Sequence, residues 1–278
     1  MPRRLRLDAE LVRRGLARSR DHARDLVEAG RVRVGGATAT KAATGVTTDV
    51  ALLVVPDPGA PDYVSRGGHK LAGALAAFEP AGLAVPGRRC LDAGASTGGF
   101  TDVLLRAGAA EVVAVDVGYG QLAWSLRSDE RVRVHDRTNI RDLTVGLVGG
   151  EVDLVVGDLS FISLTVVLDA LVAVTRAEGD LVLMVKPQFE VGKDRVGKGG
   201  VVREPQLRAE AVTAVATGAA DRGWGARAVV ASPLPGPSGN VEYFLWLRRG
   251  PAAIGRDEIH AEVRRAPAAG DPGERVDP

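Results

Sequence analysis

The segment Leu91–Thr101, LDAGASTGGFT, follows an acid with glycines and small hydroxyl residues at the end of an apolar run. Glycines after a strand let the backbone close on a ligand at the carboxyl edge of a sheet. The spacing departs from the dinucleotide pattern G-x-G-x-x-G. Asp116 ends the next apolar run, VVAVD, where a carboxylate would accept hydrogen bonds from a ribose diol. A nicotinamide enzyme would share Asp116, whereas Asp92 and the glycine spacing favour S-adenosylmethionine. Four more charges fall at comparable places. Asp158 ends VDLVVGD, Lys186 ends LVLMVK, Glu242 opens VEYFLWL, and Lys70 arrives from the helix preceding the sheet. Methyl transfer to a hydroxyl needs an in-line oxygen and a route for its proton or stabilisation of its developing charge. Lysines and carboxylates converging on one sheet edge could supply both.

That convergence requires a particular framework. Seven apolar runs, CLDAG, EVVAVDV, RVRVH, VDLVVGD, LVLMVKP, ARAVVAS and VEYFLWL, read as strands of a sheet buried on both faces. Helical patterns such as TGGFTDVLLRAG, LTVVLDALVAVTR and QLRAEAVTAVATGAADRG intervene, so the expected fold class is α/β with a mostly parallel sheet. PLPGPSGN is too short for a crossover helix, so the last two strands are expected to pair antiparallel. Ser65 is a candidate cap for a helix with Leu71, Leu75 and Phe78 on its apolar side.

The first sixty residues differ in character. Residues 1–41 hold 11 Lys/Arg against 5 Asp/Glu, a net of +6, and the remainder holds 25 against 30, a net of −5. A basic head on a near-neutral body suits a polyanionic partner. Leu7, Leu11, Val12 and Leu16 have helical spacing, Ser19 is placed to cap a second helix, and Gly30 to end it. Strands are expected in RVRVGG, Thr38–Lys41 and Ala51–Val55. The domains are then 1–60 and 61–250, joined by a Pro/Gly-rich linker at about 56–64, with 251–278 a disordered tail.

Two resemblances sharpen these readings. RLDAELVRRGLARSRDHARDLVEAGRVRVGG followed by Lys41 resembles the S-four-type RNA-binding domain, which implies that Arg6, Arg18, Arg20, Arg24 and Arg33 lie on or near an RNA-facing surface. The order Lys70, Asp158, Lys186, Glu242, within SRGGHKL, LDAGASTGGFT, GDLSFISL, VKPQFE and SGNVEYFL, is similar to the FtsJ-like RNA ribose 2′-O-methyltransferases. With the N-terminal domain it matches the TlyA, or hemolysin A-like, family. The resemblance implies a Rossmann-like methyltransferase fold and methylation of a cytidine 2′-hydroxyl in rRNA of both ribosomal subunits. It implies that Gly94, Ala95, Ser96, Gly98, Phe100 and Asp116 hold the cofactor, with Asp136 and Asn139 near its adenine. It makes Lys186 the base or activator, Asp158 its orienting partner, and Lys70 and Glu242 the rest of the network.

Other features narrow the class. One cysteine permits no internal disulfide and fits a reducing, cytoplasmic setting. No run approaches the length of a membrane span and no signal-peptide core is present, which disfavours a membrane-lytic role. His22, His69, His135 and His260 have no metal-ligand spacing, so no metal is expected. Phe161 and Phe189 follow Asp158 and Lys186 closely, yet such aromatics more often belong to a core. A non-catalytic ribosome-assembly factor would not require the four charges.

Overall fold

The structure is a computed structural model that describes residues 4–17, 19–55, 61–236 and 238–266. Arg18, most of the Pro/Gly-rich linker and residues 267–278 lie outside the described residues. The chain divides into two units, Met1–Arg66 and Gly67–Pro278.

The first unit contains β1 (Arg4–Arg6), α1 (Leu7–Arg13), α2 (Arg20–Glu28), β2 (Val32–Val34), β3 (Ala37–Thr38), β4 (Gly45–Thr47) and β5 (Leu52–Val54). Ser19 caps α2 by accepting from the His22 amide at 3.1 Å. Gly30, at φ 66°, turns the chain out of the helix. The strands form an antiparallel sheet in the order β3-β2-β5 and a separate antiparallel pair β1-β4. Leu7, Leu11, Ala23, Leu26, Val27, Val32 and Val46 make the core. The strand expected over Thr38–Lys41 is only Ala37–Thr38, and the β1-β4 pair was not expected, because three-residue strands carry no readable alternation.

The second unit begins with α3 (Gly67–Phe78), followed by β6 (Arg89–Ala93), α4 (Gly99–Arg106), β7 (Glu111–Val115), α5 (Trp124–Arg127), β8 (Val132–His135) and α6 (Val145–Val148). It continues with β9 (Val152–Gly157), α7 (Leu164–Ala173), β10 (Thr175–Val185), α8 (Pro187–Glu190), α9 (Pro205–Ala220), β11 (Trp224–Ala231), β12 (Tyr243–Arg249) and α10 (Arg256–Arg265). All seven expected strands join one sheet in the order β11-β12-β10-β9-β6-β7-β8. Neighbours are parallel except around β12, which runs antiparallel to both β10 and β11. Most of their Val and Leu side chains are buried because helices cover both faces, while Val134, Val229 and Val230 on the edge strands are half-buried.

Asp180 fastens the amino edge of β10. It is fully buried and accepts from Arg88 Nη1 at 2.6 Å, Trp246 Nε1 at 2.7 Å and Arg248 Nε at 2.8 Å. Burial pushes this carboxyl up, but the hydrogen bonds from Arg248, Arg88 and Trp246 prevail and hold it below its ordinary range.

The expected disordered tail is corrected in its first part. Residues 256–265 form α10, which packs on α9 and buries Ile259 and Val263 in the sheet's core. Only two apolar residues, one turn apart, anchor it, so its pattern is faint in the sequence. Glu258 reaches back to the Gly255 amide at 3.0 Å and secures its start.

Candidate active site

The loop between β6 and α4 is shaped by close approach. Gly94 has φ 86°, and a Cβ there would stand 2.8 Å from the Asp158 carbonyl oxygen. Gly98 has φ 97°, and a Cβ would meet Leu126 and stand 2.8 Å from Leu122 Cδ1. Both positions therefore require glycine. Ser96 adopts φ 46° and donates its amide to Asp116 Oδ2 at 2.8 Å, while the Gly118 amide reaches Asp116 Oδ1 at 2.6 Å. Asp116 thus joins the glycine loop to the end of β7. Ala95 is buried between them.

Asp92 lies beneath this loop with no exposure. Thr101 Oγ1 donates to its Oδ2 at 2.7 Å, and its buried Oδ1 has no hydrogen-bond partner among the described residues. Burial, with the charges of Asp158 and Asp116 adding to it, pushes the carboxyl up to about 7 against the Thr101 hydrogen bond.

The remaining expected cofactor residues divide. Asp136 accepts from Arg127 Nη2 at 2.8 Å and from the Gly120 amide at 3.3 Å, and chiefly the Arg127 contact holds its carboxyl below the usual range. Asn139 caps a short turn by accepting from the Arg141 amide at 3.0 Å. The backbone ties both to the β7 loop, since Thr138 donates to the Asp116 carbonyl at 2.9 Å and Arg137 to that of Gly118 at 2.8 Å. Phe100, also expected in the cofactor loop, faces the core. Its buried ring packs against Phe244, centroids 5.9 Å apart, and so supports the loop from beneath.

The four expected catalytic charges form two ion pairs. Lys186 Nζ lies 2.6 Å from Asp158 Oδ1 and donates to Ser160 Oγ at 2.8 Å. Lys70 Nζ lies 2.5 Å from Glu242 Oε2. Strand register makes the pairs neighbours. Val185 pairs with Tyr243, placing Lys186 beside Glu242, while Leu183 pairs with Gly157, just before Asp158. Because β12 is reversed, Glu242 precedes its strand and still reaches the edge where the parallel strands end. Both lysines and Glu242 are buried, and Glu242 Oε1 has no partner among the described residues.

Several neighbours have no clear sequence signal. Glu190, from α8, accepts from Ser163 Oγ at 2.5 Å and from the Leu164 amide at 2.8 Å, at the start of α7. Burial raises this carboxyl, opposed by those two hydrogen bonds. Phe161 is 92% exposed with φ 63°, and its ring lies 5.3 Å from that of Phe189. The expectation that Phe161 belongs to a core is therefore corrected. Among the described residues the non-glycine positive-φ positions are Ser96, Arg137 and Phe161, each in a loop after β6, β8 or β9. Local strain of this kind gathers at functional edges.

In the first unit Arg6, Arg20 and Arg24 line a cavity together with Asp8. Arg33 lies apart on β2, its Nη1 within 3.5 Å of the Gly36 carbonyl. Among the described residues no helix is long and apolar enough to cross a membrane, and no group of three or more His, Cys, Asp or Glu could hold a metal.

Comparison with known proteins follows the same division. Residues 5–50 match the S4 domain, and residues 63–249 match the FtsJ-like methyltransferase family. The 16S/23S rRNA (cytidine-2′-O)-methyltransferase TlyA of Mycobacterium tuberculosis is 61% identical over 272 residues, covering 96% of this chain and all of the relative. Hemolysin A of Brachyspira hyodysenteriae is 37% identical over 241 residues, covering 86% of this chain and 98% of the relative. A solved structure of a candidate hemolysin from Streptococcus thermophilus superposes with a TM-score of 0.75 at 36% identity, covering 95% of this chain and 96% of that one. Since the matched segment takes in every strand of the large sheet, the chain belongs to the FtsJ-like methyltransferase family.

Proposed function

We propose that this protein transfers a methyl group from S-adenosylmethionine to the ribose 2′-hydroxyl of a cytidine in ribosomal RNA, in both ribosomal subunits. The observation that carries the reading is the Lys186–Asp158 pair beside the Lys70–Glu242 pair, at the sheet edge that also holds the glycine loop. The name of the Mycobacterium tuberculosis relative supports the acceptor.

The residues fit the cofactor. Gly94 and Gly98 leave backbone where a side chain would intrude, Asp116 stands where a ribose diol needs an acceptor, and Asp92 Oδ1 is a buried acceptor awaiting a donor. S-adenosylmethionine supplies an electrophilic methyl on its sulfonium. The protein then has to place the hydroxyl and manage its proton. Lys186 Nζ is the group that receives the proton or holds the developing negative charge. Asp158 and Ser160 aim that nitrogen, and Lys70 with Glu242 fixes the neighbouring wall. Phe161, open beside Asp158, offers a face on which the acceptor base can stack. Arg6, Arg18, Arg20, Arg24 and Arg33 give the N-terminal unit its affinity for RNA backbone. Ribosomal RNA as substrate implies a cytoplasmic setting.

The test is incubation with methyl-labelled S-adenosylmethionine and purified 30S subunits, 50S subunits or free rRNA, followed by mapping of the alkali-resistant linkage. Label in a cytidine ribose is expected, and no incorporation anywhere refutes the reading. Lys186→Ala is expected to abolish transfer, about a hundredfold or more, while cofactor affinity changes little. Retained transfer in that variant removes Lys186 from its role. Vesicle leakage without cofactor would instead support a membrane-active protein, as the hemolysin names of some relatives suggest.

A further inference from the structure

Two buried carboxylates stand on the short helix α1, and each grips two arginines. Glu10 accepts from Arg13 Nε at 2.7 Å and Nη2 at 2.6 Å, and from Arg14 Nε at 2.7 Å. Arg14, 22% exposed, also donates to the carbonyls of Val50 at 2.7 Å and Thr48 at 2.9 Å, so this arginine is spent on holding the fold, while Arg13 stays open at 55%. Asp8 is equally buried and differs in what it holds. It accepts from Arg6 Nε at 3.1 Å and Nη2 at 2.7 Å, from Arg20 Nη2 at 3.3 Å and from the Ala9 amide at 2.7 Å. Its two arginines remain open, with side chains 50% and 57% exposed. With Arg24 and Asp8 they line a cavity of ≈ 290 Å³. Arg6 Nη1 and Arg20 Nε and Nη1 carry no hydrogen bond among the described residues.

Two guanidiniums brought together repel each other, and each loses side-chain freedom when fixed. A buried carboxylate between them offsets both effects. It leaves a net positive cavity with spare donors in a fixed geometry, which suits a tetrahedral oxyanion. We propose that Asp8 is the positioning residue of a seat for one RNA backbone phosphate, holding Arg6 and Arg20 so that their free N–H groups grip it together. The proposal rests on RNA being the partner of the N-terminal unit.

The seat and a merely basic surface predict opposite signs for one substitution. Asp8→Asn adds one positive charge to the unit, so a diffuse electrostatic surface would bind RNA more tightly. The seat predicts weaker binding, because the arginines lose their common anchor. The measurement is filter binding of the full-length protein to a transcript of large-subunit rRNA across about 50 to 200 mM salt. Asp8→Asn is expected to weaken binding about fivefold and to reduce the slope of log affinity against log salt by about 1, one phosphate contact. Arg20→Lys keeps the charge, cannot share the carboxylate in the same fork, and is expected to weaken binding similarly. Asp8→Asn added to Arg20→Ala should bring little further loss, since the two act as one unit. Should Asp8→Asn unfold the unit, Arg20→Lys decides alone, and wild-type affinity in that variant overturns the seat. Equal or tighter binding by a folded Asp8→Asn variant overturns it as well, while wild-type binding to the transcript keeps the RNA reading intact. A wild-type protein that does not bind the transcript overturns both.

Discussion

At the residue scale, Asp92 shows how burial is turned toward a ligand. A carboxyl pushed up to about 7 stays protonated in the free protein through most of the acidic range. The folded chain holds that proton where the unfolded chain has released it, so this residue makes stability fall as pH rises from about 4 to 7. A cationic sulfonium or ammonium near its orphan Oδ1 favours the charged form. Cofactor affinity is therefore expected to increase between about pH 6 and 8, with a proton released on binding near pH 7. Calorimetry in buffers of different ionisation enthalpy counts that proton. Asp92→Asn should lose the release and flatten the affinity profile. A wild-type affinity independent of pH over this range would remove Asp92 from the pocket.

At the element scale, the loops after β9 and β10 carry Asp158 and Lys186, and α8 locks them to each other. Glu190 holds the first turn of α7, and Phe189 backs Phe161. Glu190→Ala should loosen that register and lower turnover about tenfold. Cofactor affinity should stay within about twofold, because the glycine loop belongs to β6. Turnover and dissociation constant measured separately check this, and an equal loss in both would place Glu190 in cofactor binding instead. The sequence already showed the strands that carry these loops, since VDLVVGD and LVLMVK each hold an unbroken apolar stretch, LVV and LVLMV. It showed Asp158, Lys186 and Glu242, because each stands at the end of such a run, and Lys70 on the helix ahead of the sheet. It could not show Ser160, Glu190 or the Arg6–Asp8–Arg20 cluster, which exist only once separate segments meet. Phe161 was misjudged for a related reason. Its apolar side chain suits a core, and only the left-handed turn after Asp158 turns it out to solvent.

At the scale of the whole molecule, the two units should respond differently to acid. Arg6 and Arg13 hold the carboxyls of Asp8 and Glu10 down at about 2, with Arg20 and Arg14 adding to the effect. Depressed values give stability that is complete above the unfolded value near 4 and fades as pH falls toward 2. Asp92 acts in the opposite sense within the second unit. Hydrogen exchange at about pH 3 should therefore open residues 4–55 first, while the emission of Trp124, Trp224 and Trp246, all in the second unit, stays native. Tryptophan emission changing first would contradict this ordering. The reversed strand β12 carries a further consequence, in the order of synthesis. Ribosomes build β11 before β12, yet among the described residues β11 has no sheet neighbour except β12. Until Tyr243–Arg249 emerges, a nascent chain presents the open edge of β10, leaves β11 unpaired and lacks Glu242 beside Lys186. The sheet is sealed and the lysine given its neighbour in one late event, so a chain stalled before it would be both inactive and prone to edge-to-edge association.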